Sequence, residues 1–566
     1  MTSSFVRRCK MMSKKFLRQI DTIEYKMWSE GSPFYTNRTD VFGEFLHLDT
    51  KRGAEVAKLH RMITSAGRLR GEQRETALPF HWSGVCDFIM SKNNIGEIGD
   101  NDIVISGIAG YFPESLNVDQ LEEKLFNNGK FITLCDFANW NRGHLDIPKL
   151  IGRLPKRNEF DSSFFGINNH QASTLDPMTR NMIERSFEAI IDSGLSPEVV
   201  KNTRMGIVMG SVFSESENMW IYQGAGFGIL GHSRTMLANR VSYWLNCYGP
   251  SYALISGDTN GIEALTLASE AIRNGQCESA LVGAVSFEIL PEMSHHYKEL
   301  KLLAKDGNNR SFDDDANGMV RSEASVVMFL QKAKDAKRIY ASIVHSQFEC
   351  YGDRKSGYIV PLEYPLTSLL SSFYQRCGID PSLISYLEAD GSGIKARDTI
   401  ELNAVAKVLL KNRQSPLLIG SIKSNLGHTS AASALISVVK VLIAMEAGKI
   451  PANNNFNKPS QQVPALVEGR LKVVTETMPW SGGLAAVNAV GLSGVVGHIL
   501  LRSYNKEKVN GGLPTDDLPR LLVISGRTEE GLEDAFNKPH MDKNIYLKTI
   551  KIVYTHIRMV VGKSHK

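Results

Sequence analysis

From Ile103 onward, for about 400 residues, short β-branched apolar runs alternate with longer stretches whose apolar residues recur every three to four positions. This alternation constrains the fold more than any other feature. A first strand is predicted within IVISGIAGYFPES at 103–115, running into a Gly and Pro turn, with further strands over 205–209, 280–285, 326–330, 384–388, 417–421, 485–490 and 498–501, and helices over 179–193, 262–274, 399–411 and 431–447. The strand runs are apolar at nearly every position, which predicts an α/β protein with sheets covered on both faces. The run 484–501 is about long enough to cross a bilayer, but it carries Asn488, Ser493, His498 and spaced glycines. Two buried strands joined by a glycine-rich turn fit it better, and no membrane span is predicted.

Outside that region the texture changes. Residues 1–100 have no clear period and are read as an N-terminal extension, residues 101–503 as the folded domain, and residues 504–566 as a polar linker followed by a short further segment. The chain of 566 residues has 65 Lys plus Arg against 60 Asp plus Glu, a net charge of +5, too weak a field to imply nucleic acid. The start is basic, with Arg7, Arg8, Lys10, Lys14, Lys15 and Arg18, but it lacks an apolar stretch followed by a cleavage site. A cytoplasmic protein is expected, with a mitochondrial address as the alternative. Cys9, Cys86, Cys135, Cys247, Cys277, Cys350 and Cys377 are widely spaced without a C-x-x-C pair, and they read as free thiols in a reducing compartment.

Common motifs exclude several chemistries. Gly226, Gly228 and Gly231 have dinucleotide-loop spacing, but no convincing strand precedes them and Ser251 stands where the ribose-binding acid belongs. There is no Walker A loop and no H-E-x-x-H, and GHSRT at 231–235 lacks the second glycine of a nucleophile elbow. The informative stretch is NCYGPSYALISGDTNGIEALTLASEAIRNGQCESALVGAV at 246–285. It reads as a strand, a tight turn at Ser256 and Gly257, and a helix beginning near Asp258. A helix N-terminus is where a reactive or anionic group gains most from free N–H groups and the macrodipole.

This segment resembles the β-ketoacyl synthase family, and in particular the ketosynthase of animal type I fatty acid synthases. EFDSSFFGIN at 159–168, LDPMTR at 175–180, MLANRVSYWLNCYGPS at 236–251, KLLAKDGNNRSFDDDANGMVRSEA at 301–324 and IGSIKSNLGH at 419–428 follow in the family's order and spacing. The resemblance implies a thiolase-like fold of two related five-stranded halves in a layered α/β sandwich, usually dimeric. It also implies a cysteine that takes an acyl group from the phosphopantetheine arm of an acyl carrier protein, and two histidines that promote decarboxylation of the malonyl carrier. Met90 would be a natural start for such a domain. LLVISGRTEEG at 521–531 resembles the start of the family's post-ketosynthase linker, so the acyltransferase, reductase, dehydratase and carrier domains are expected to be missing.

At the positions that match the family's motifs, the chemistry has changed. The cysteine position is Asp258, and the first histidine is Asp390 within EADGSGI at 388–394. The threonines that help hold the phosphopantetheine arm are Ser392 and Ile394. Lys423 and the second histidine, His428, survive in KSNLGH, while the gating phenylalanine is Leu492 and a flexible glycine beside it is Ser493. A carboxylate ionised at pH 7 is a poor nucleophile toward a thioester and would give a hydrolysable anhydride. An ionised Asp390 would repel a developing enolate.

The plain reading of Asp258 is a helix cap accepting the N–H of Asn260 or Gly261. A sharper reading joins Asp258, Asp390 and His428 beside Lys423 as acid–base or metal-binding groups; a salt-bridged pocket neutralised by Lys423 is the simpler form. Cys247 and Cys277 read as structural. The expectation is a ketosynthase-like chain unable to condense, acting as a homodimer or heterodimer with an active ketosynthase, or as a binder of an acyl carrier protein, with no bound cofactor. The alternative keeps residual acyl transfer, thioester hydrolysis or malonyl-thioester decarboxylation through His428 and Lys423.

Overall fold

The computed structural model describes residues 98–504 apart from 136–145, 156, 218–226, 353–358, 361 and 493. The basic N-terminal stretch with Cys9, Cys86 and Met90, together with Gly226, Ser493 and the segment after Tyr504, lies outside the described residues. Among the described residues eleven strands form one mixed sheet: β1 (Ile103–Tyr111), β2 (Gly206–Gly210), β3 (Ser251–Leu254), β4 (Ser279–Ser286), β5 (Ala324–Lys332), β6 (Ala341–Cys350), β7 (Ile384–Glu388), β8 (Leu417–Gly420), β9 (Leu471–Val473), β10 (Leu484–Val490) and β11 (Val495–Ser503). Across the sheet they lie in the order β9-β8-β7-β10-β11-β6-β1-β5-β4-β2-β3. The helices packed on them are α1 (Pro177–Asp192), α2 (Met236–Leu245), α3 (Asn260–Arg273), α4 (Glu363–Cys377), α5 (Lys395–Leu409) and α6 (Ser433–Ala447).

The same motif occurs twice. The chain runs β1-α1-β2-α2-β3-α3-β4-β5 and then β6-α4-β7-α5-β8-α6-β10-β11, with β9 added at the edge of the second half. In each half the second strand is parallel to the third and fourth, and the fifth is antiparallel to both the fourth and the first. The halves join where β1 pairs with β6 through Val104 with Ser342 and Ile105 with Ala341. The expected two five-stranded halves are therefore present, joined edge to edge and lengthened by β9.

Strand alternation then sorts the side chains into layers. Val326, Met328 and Leu330 of β5 face the central helices α3 and α6, while Val327 and Phe329 face the outer helices α1 and α2. In the second half Ala485, Val487 and Ala489 of β10 face the central helices, and Leu484, Ala486 and Val490 face α4 and α5. The run 484–501 thus resolves into β10 and β11, an antiparallel pair in which Asn488 stands opposite His498. Gly261 lets α3 and α6 approach closely, because a Cβ there would meet the Leu435 backbone nitrogen at 2.7 Å.

Helix α6 belongs to the segment Ser430–Ala447, which is long and apolar enough to cross a membrane by length and composition, but here it fills the central layer. Its mid-helix charge, Lys440, is fully buried and pairs with Glu388 at 2.9 Å. Glu388 also accepts the Tyr386 hydroxyl at 2.6 Å and the Ile422 amide at 2.6 Å, so the buried carboxylate is fully engaged.

Candidate functional site

The site gathers at the carboxyl ends of parallel strands, where an α/β sheet leaves room between its loops. After β3 the chain turns through Gly257, whose φ of +101° suits a residue without a Cβ. The Asn260 side chain ties this elbow, accepting the Ser256 amide at 2.9 Å and donating to the Ser211 carbonyl at 3.2 Å. Asp258 follows, only 5% exposed.

Asp258 is not the helix cap expected from the sequence. Thr259 occupies the cap position of α3 without a side-chain capping bond, and the Asn260 amide donates to the Gly257 carbonyl instead. The Asp258 carboxylate turns inward, where Oδ2 accepts the Leu492 amide at 3.4 Å and lies 3.9 Å from His428 Nε2.

His428 follows the short helical turn Lys423–Leu426 and Gly427. Its backbone is pinned by bonds to Val320 and Ser322, and its Nδ1 accepts the Ser430 amide at 3.1 Å. In the neutral ring the proton then sits on Nε2, the nitrogen facing Asp258. Burial is the main cause pushing His428 down to about 4, with Lys423 and Arg397 assisting against the pull of Asp258 and Asp390. His428 is therefore a neutral N–H donor at pH 7.

Asp390 is paired elsewhere. Lys423 Nζ donates to its Oδ1 and to its backbone carbonyl, both at 2.8 Å, and the two side chains are 2% and 3% exposed. Burial favours the neutral acid, yet the charges of Lys423 and Arg397 hold the Asp390 carboxyl below the usual aspartate range. Asp258, Asp390 and His428 therefore form no shared triad: one carboxylate faces the imidazole and the other is taken by Lys423. Among the described residues no three His, Cys, Asp or Glu side chains are grouped to hold a metal ion. The salt-bridged form of the pocket is what the geometry shows for Asp390.

Ser392 donates to Asp398 at 2.9 Å and accepts the Ile394 amide at 3.2 Å, so its hydroxyl is spent on its own loop. Ile394 has no hydroxyl to offer. Both line a hollow of about 240 Å³ with Asp258, Tyr297, Met319, Arg397, His428 and Leu492. The two thiols nearest the motif offer no substitute nucleophile: burial raises both, Cys247 to about 11.

Sequence reasoning missed the acidic and basic groups behind the site. Arg397, Asp398 and Glu401 occupy the first turns of α5 and are all nearly fully buried. Glu401 accepts the amides of Asp390 and Gly391 at 2.7 and 2.9 Å and the Asn488 amide group at 2.9 Å. Burial, and next the Asp390 charge, push Glu401 up to about 7; burial pushes Asp398 up to about 6. The sequence reading begins this helix at Thr399, which leaves Arg397 and Asp398 outside it, whereas α5 starts at Lys395. The one available signal is three charges at i, i+1 and i+4, the outer two of which share a face of α5.

Comparison with known proteins assigns this architecture. The β-ketoacyl synthase N-terminal domain matches residues 100–336, its C-terminal domain residues 340–457, and the ketoacyl-synthetase C-terminal extension residues 459–558. A fatty acid synthase sequence from Anser anser anser is 39% identical over 350 residues, 61% of this chain and 99% of that one. The polyketide synthase PksL from Bacillus subtilis is 29% identical over 77% of this chain, which spans 10% of that protein. Among solved structures, the ketosynthase from module 6 of the bacillaene synthase of Bacillus subtilis 168 superposes with a TM-score of 0.67 at 29% identity, covering 72% of this chain and 73% of that one. The oxazolomycin ketosynthase domain OzmH KS7 of Streptomyces albus JA3453 gives 0.68 at 25% identity, covering 72% and 76%. With its repeated β-α halves and its elbow, lysine and histidine where the two meet, the chain belongs to the β-ketoacyl synthase family.

Proposed function

We propose that this chain is a condensing-enzyme homologue that does not condense, and that it acts as a dimerising or acyl-carrier-binding partner. The observation that carries this reading is the carboxylate of Asp258 at the elbow, buried beside a neutral imidazole. Condensation begins with a soft nucleophile that accepts an acyl group from a thioester, and a carboxylate forms at best a hydrolysable anhydride. Next, decarboxylation of a malonyl thioester leaves an enolate that needs hydrogen-bond donors. His428 Nε2–H is one such donor; Asp390 offers negative charge, and the Lys423 ammonium is already committed to it.

The partner would be an acyl carrier protein supplied in trans, presenting its phosphopantetheine arm, or a second ketosynthase. Edge strand β3 supports the pairing of two copies, since Tyr252 on it and Ile255 just beyond it are about half exposed. A residual decarboxylase or thioester hydrolase is the second reading, favoured by the proton on His428 Nε2 facing the hollow.

Intact-protein mass spectrometry after incubation with acyl and malonyl thioesters, with released carbon dioxide followed in the same tube, separates the readings. The expected result from the folded protein is no acyl adduct and no gas. Either signal overturns the proposal and moves the function to the second reading. Asp258→Cys in the same assay is expected to leave condensation absent, because Asp390 and Leu492 are unchanged; a condensed product from that single variant would refute this.

A further inference from the structure

We infer that Asp258, Asp390 and Arg397 act together as a clamp on the backbone leaving β10, so that the two residues standing where the chemistry would be expected are positioning residues for Val490 and Leu492. Three contacts from three different parts of the fold converge on this short stretch. Asp390 Oδ1 accepts the Val490 amide at 3.2 Å, Arg397 donates to the Val490 carbonyl at 2.5 Å, and Asp258 Oδ2 accepts the Leu492 amide at 3.4 Å. Asp258 comes from the elbow before α3 in the first half, Asp390 from the turn after β7, and Arg397 from the first turn of α5. All three are at most 5% exposed.

The Arg397 contact is the short, charge-assisted one of the three, a kind about twice as strong as a neutral bond, while the two carboxylate contacts are longer. Lys423 and Arg397 are the cations that act on Asp390, while Asp258 faces the imidazole of His428. The effect of the clamp is to set the Leu492 side chain as a wall of the hollow beside Asp258 and His428. The Arg397 Nε is buried with no partner, so the guanidinium is held by its Val490 contact and by the surrounding carboxylate charge. This inference does not depend on whether any catalysis remains, since it concerns what holds the backbone rather than what reacts.

Hydrogen exchange on the full chain tests it, read at the Leu492 amide with Leu387 of β7 as the reference for global opening. Asp258→Ala is expected to speed exchange at Leu492 by about tenfold or more while Leu387 stays within about twofold. Asp258→Asn, whose amide oxygen still accepts, is expected to keep most of the protection. Unchanged exchange at Leu492 in Asp258→Ala, or equal loss in both variants, overturns the clamp. If Asp258→Ala does not fold, Arg397→Gln carries the test at the same amide. There a rise of about fivefold is expected with Leu387 unchanged, and no rise overturns it.

Discussion

At the scale of single residues, the imidazole of His428 shows how burial converts a titratable group into a fixed donor. Its ordinary value of 6.5 falls to about 4 in the folded chain, so between those values the unfolded chain binds more protons than the folded one. The stability this provides is complete above pH 6.5 and is lost as pH falls through the window toward 4. At about 1.4 kcal/mol for each pH step across that window, the whole effect is about 3 kcal/mol. Glu401 runs the other way: its carboxyl, raised from 4.5 to about 7, stabilises the folded state at low pH and stops doing so as pH rises through that range. Comparing His428→Asn with the natural chain isolates the histidine. Urea unfolding at pH values from 4 to 7 is expected to show a slope against pH that is flatter in the variant, by up to about 1.4 kcal/mol per pH step. Equal slopes would mean that His428 is not buried neutral. The residue substitutions themselves are legible in the sequence, because KSNLGH and the elbow fix the alignment on both sides of them. The direction in which Asp258 points is not, since a helix start looks the same whether its acid caps the helix or turns inward toward a second half of the molecule.

At the scale of elements, the sequence shows the strands that are apolar throughout and hides those that are not. β4, β5, β7, β8 and β10 read clearly because both of their faces are covered. β6 escapes notice although it lies in the middle of the sheet: His345, Ser346 and Gln347 break its apolar run, and its inner polar groups find partners in α4, such as Ser372 for Gln347 at 3.1 Å. Helix α4 escapes for a related reason, since Pro365 near its start and the serines and threonine scattered along it loosen the helical period enough to read as loop. Helix α6 is legible, but the role of Lys440 in it is not. Lys440→Met leaves Glu388 as an unpaired buried charge and is expected to cost about 3–5 kcal/mol. Adding Glu388→Gln should recover most of that loss, because its amide oxygen can still accept the Ile422 N–H while its NH2 donates to the Tyr386 hydroxyl oxygen, with no charge left buried. Urea midpoints of the single and double variants check this, and a double variant no more stable than Lys440→Met would count against it.

At the scale of the whole molecule, the edges of the sheet differ. One ends at β9, a short strand of three residues, and the other at β3, beside which Tyr243 and Tyr248 join Tyr252 and Ile255 as exposed large side chains. A row of free backbone groups flanked by apolar surface favours pairing with another chain. Sedimentation of the natural chain is expected to give a dimer, and Tyr252→Lys with Ile255→Lys is expected to weaken its association by about tenfold or more. An unchanged dissociation constant would place the contact elsewhere.

The repetition of the β-α motif has a further consequence. The elbow with Asp258 follows the third strand of the first half, and the Lys423 to His428 segment follows the third strand of the second, so they are the same turn of the same motif, seen twice and facing itself across a seam. Neither half owns the site. Each copy alone would leave one side of its central helix bare and its share of the seam without an answer, so the two halves are obliged to fold as one body. The aspartate carried by one side accordingly finds its contacts, the Leu492 amide and the His428 imidazole, on the other.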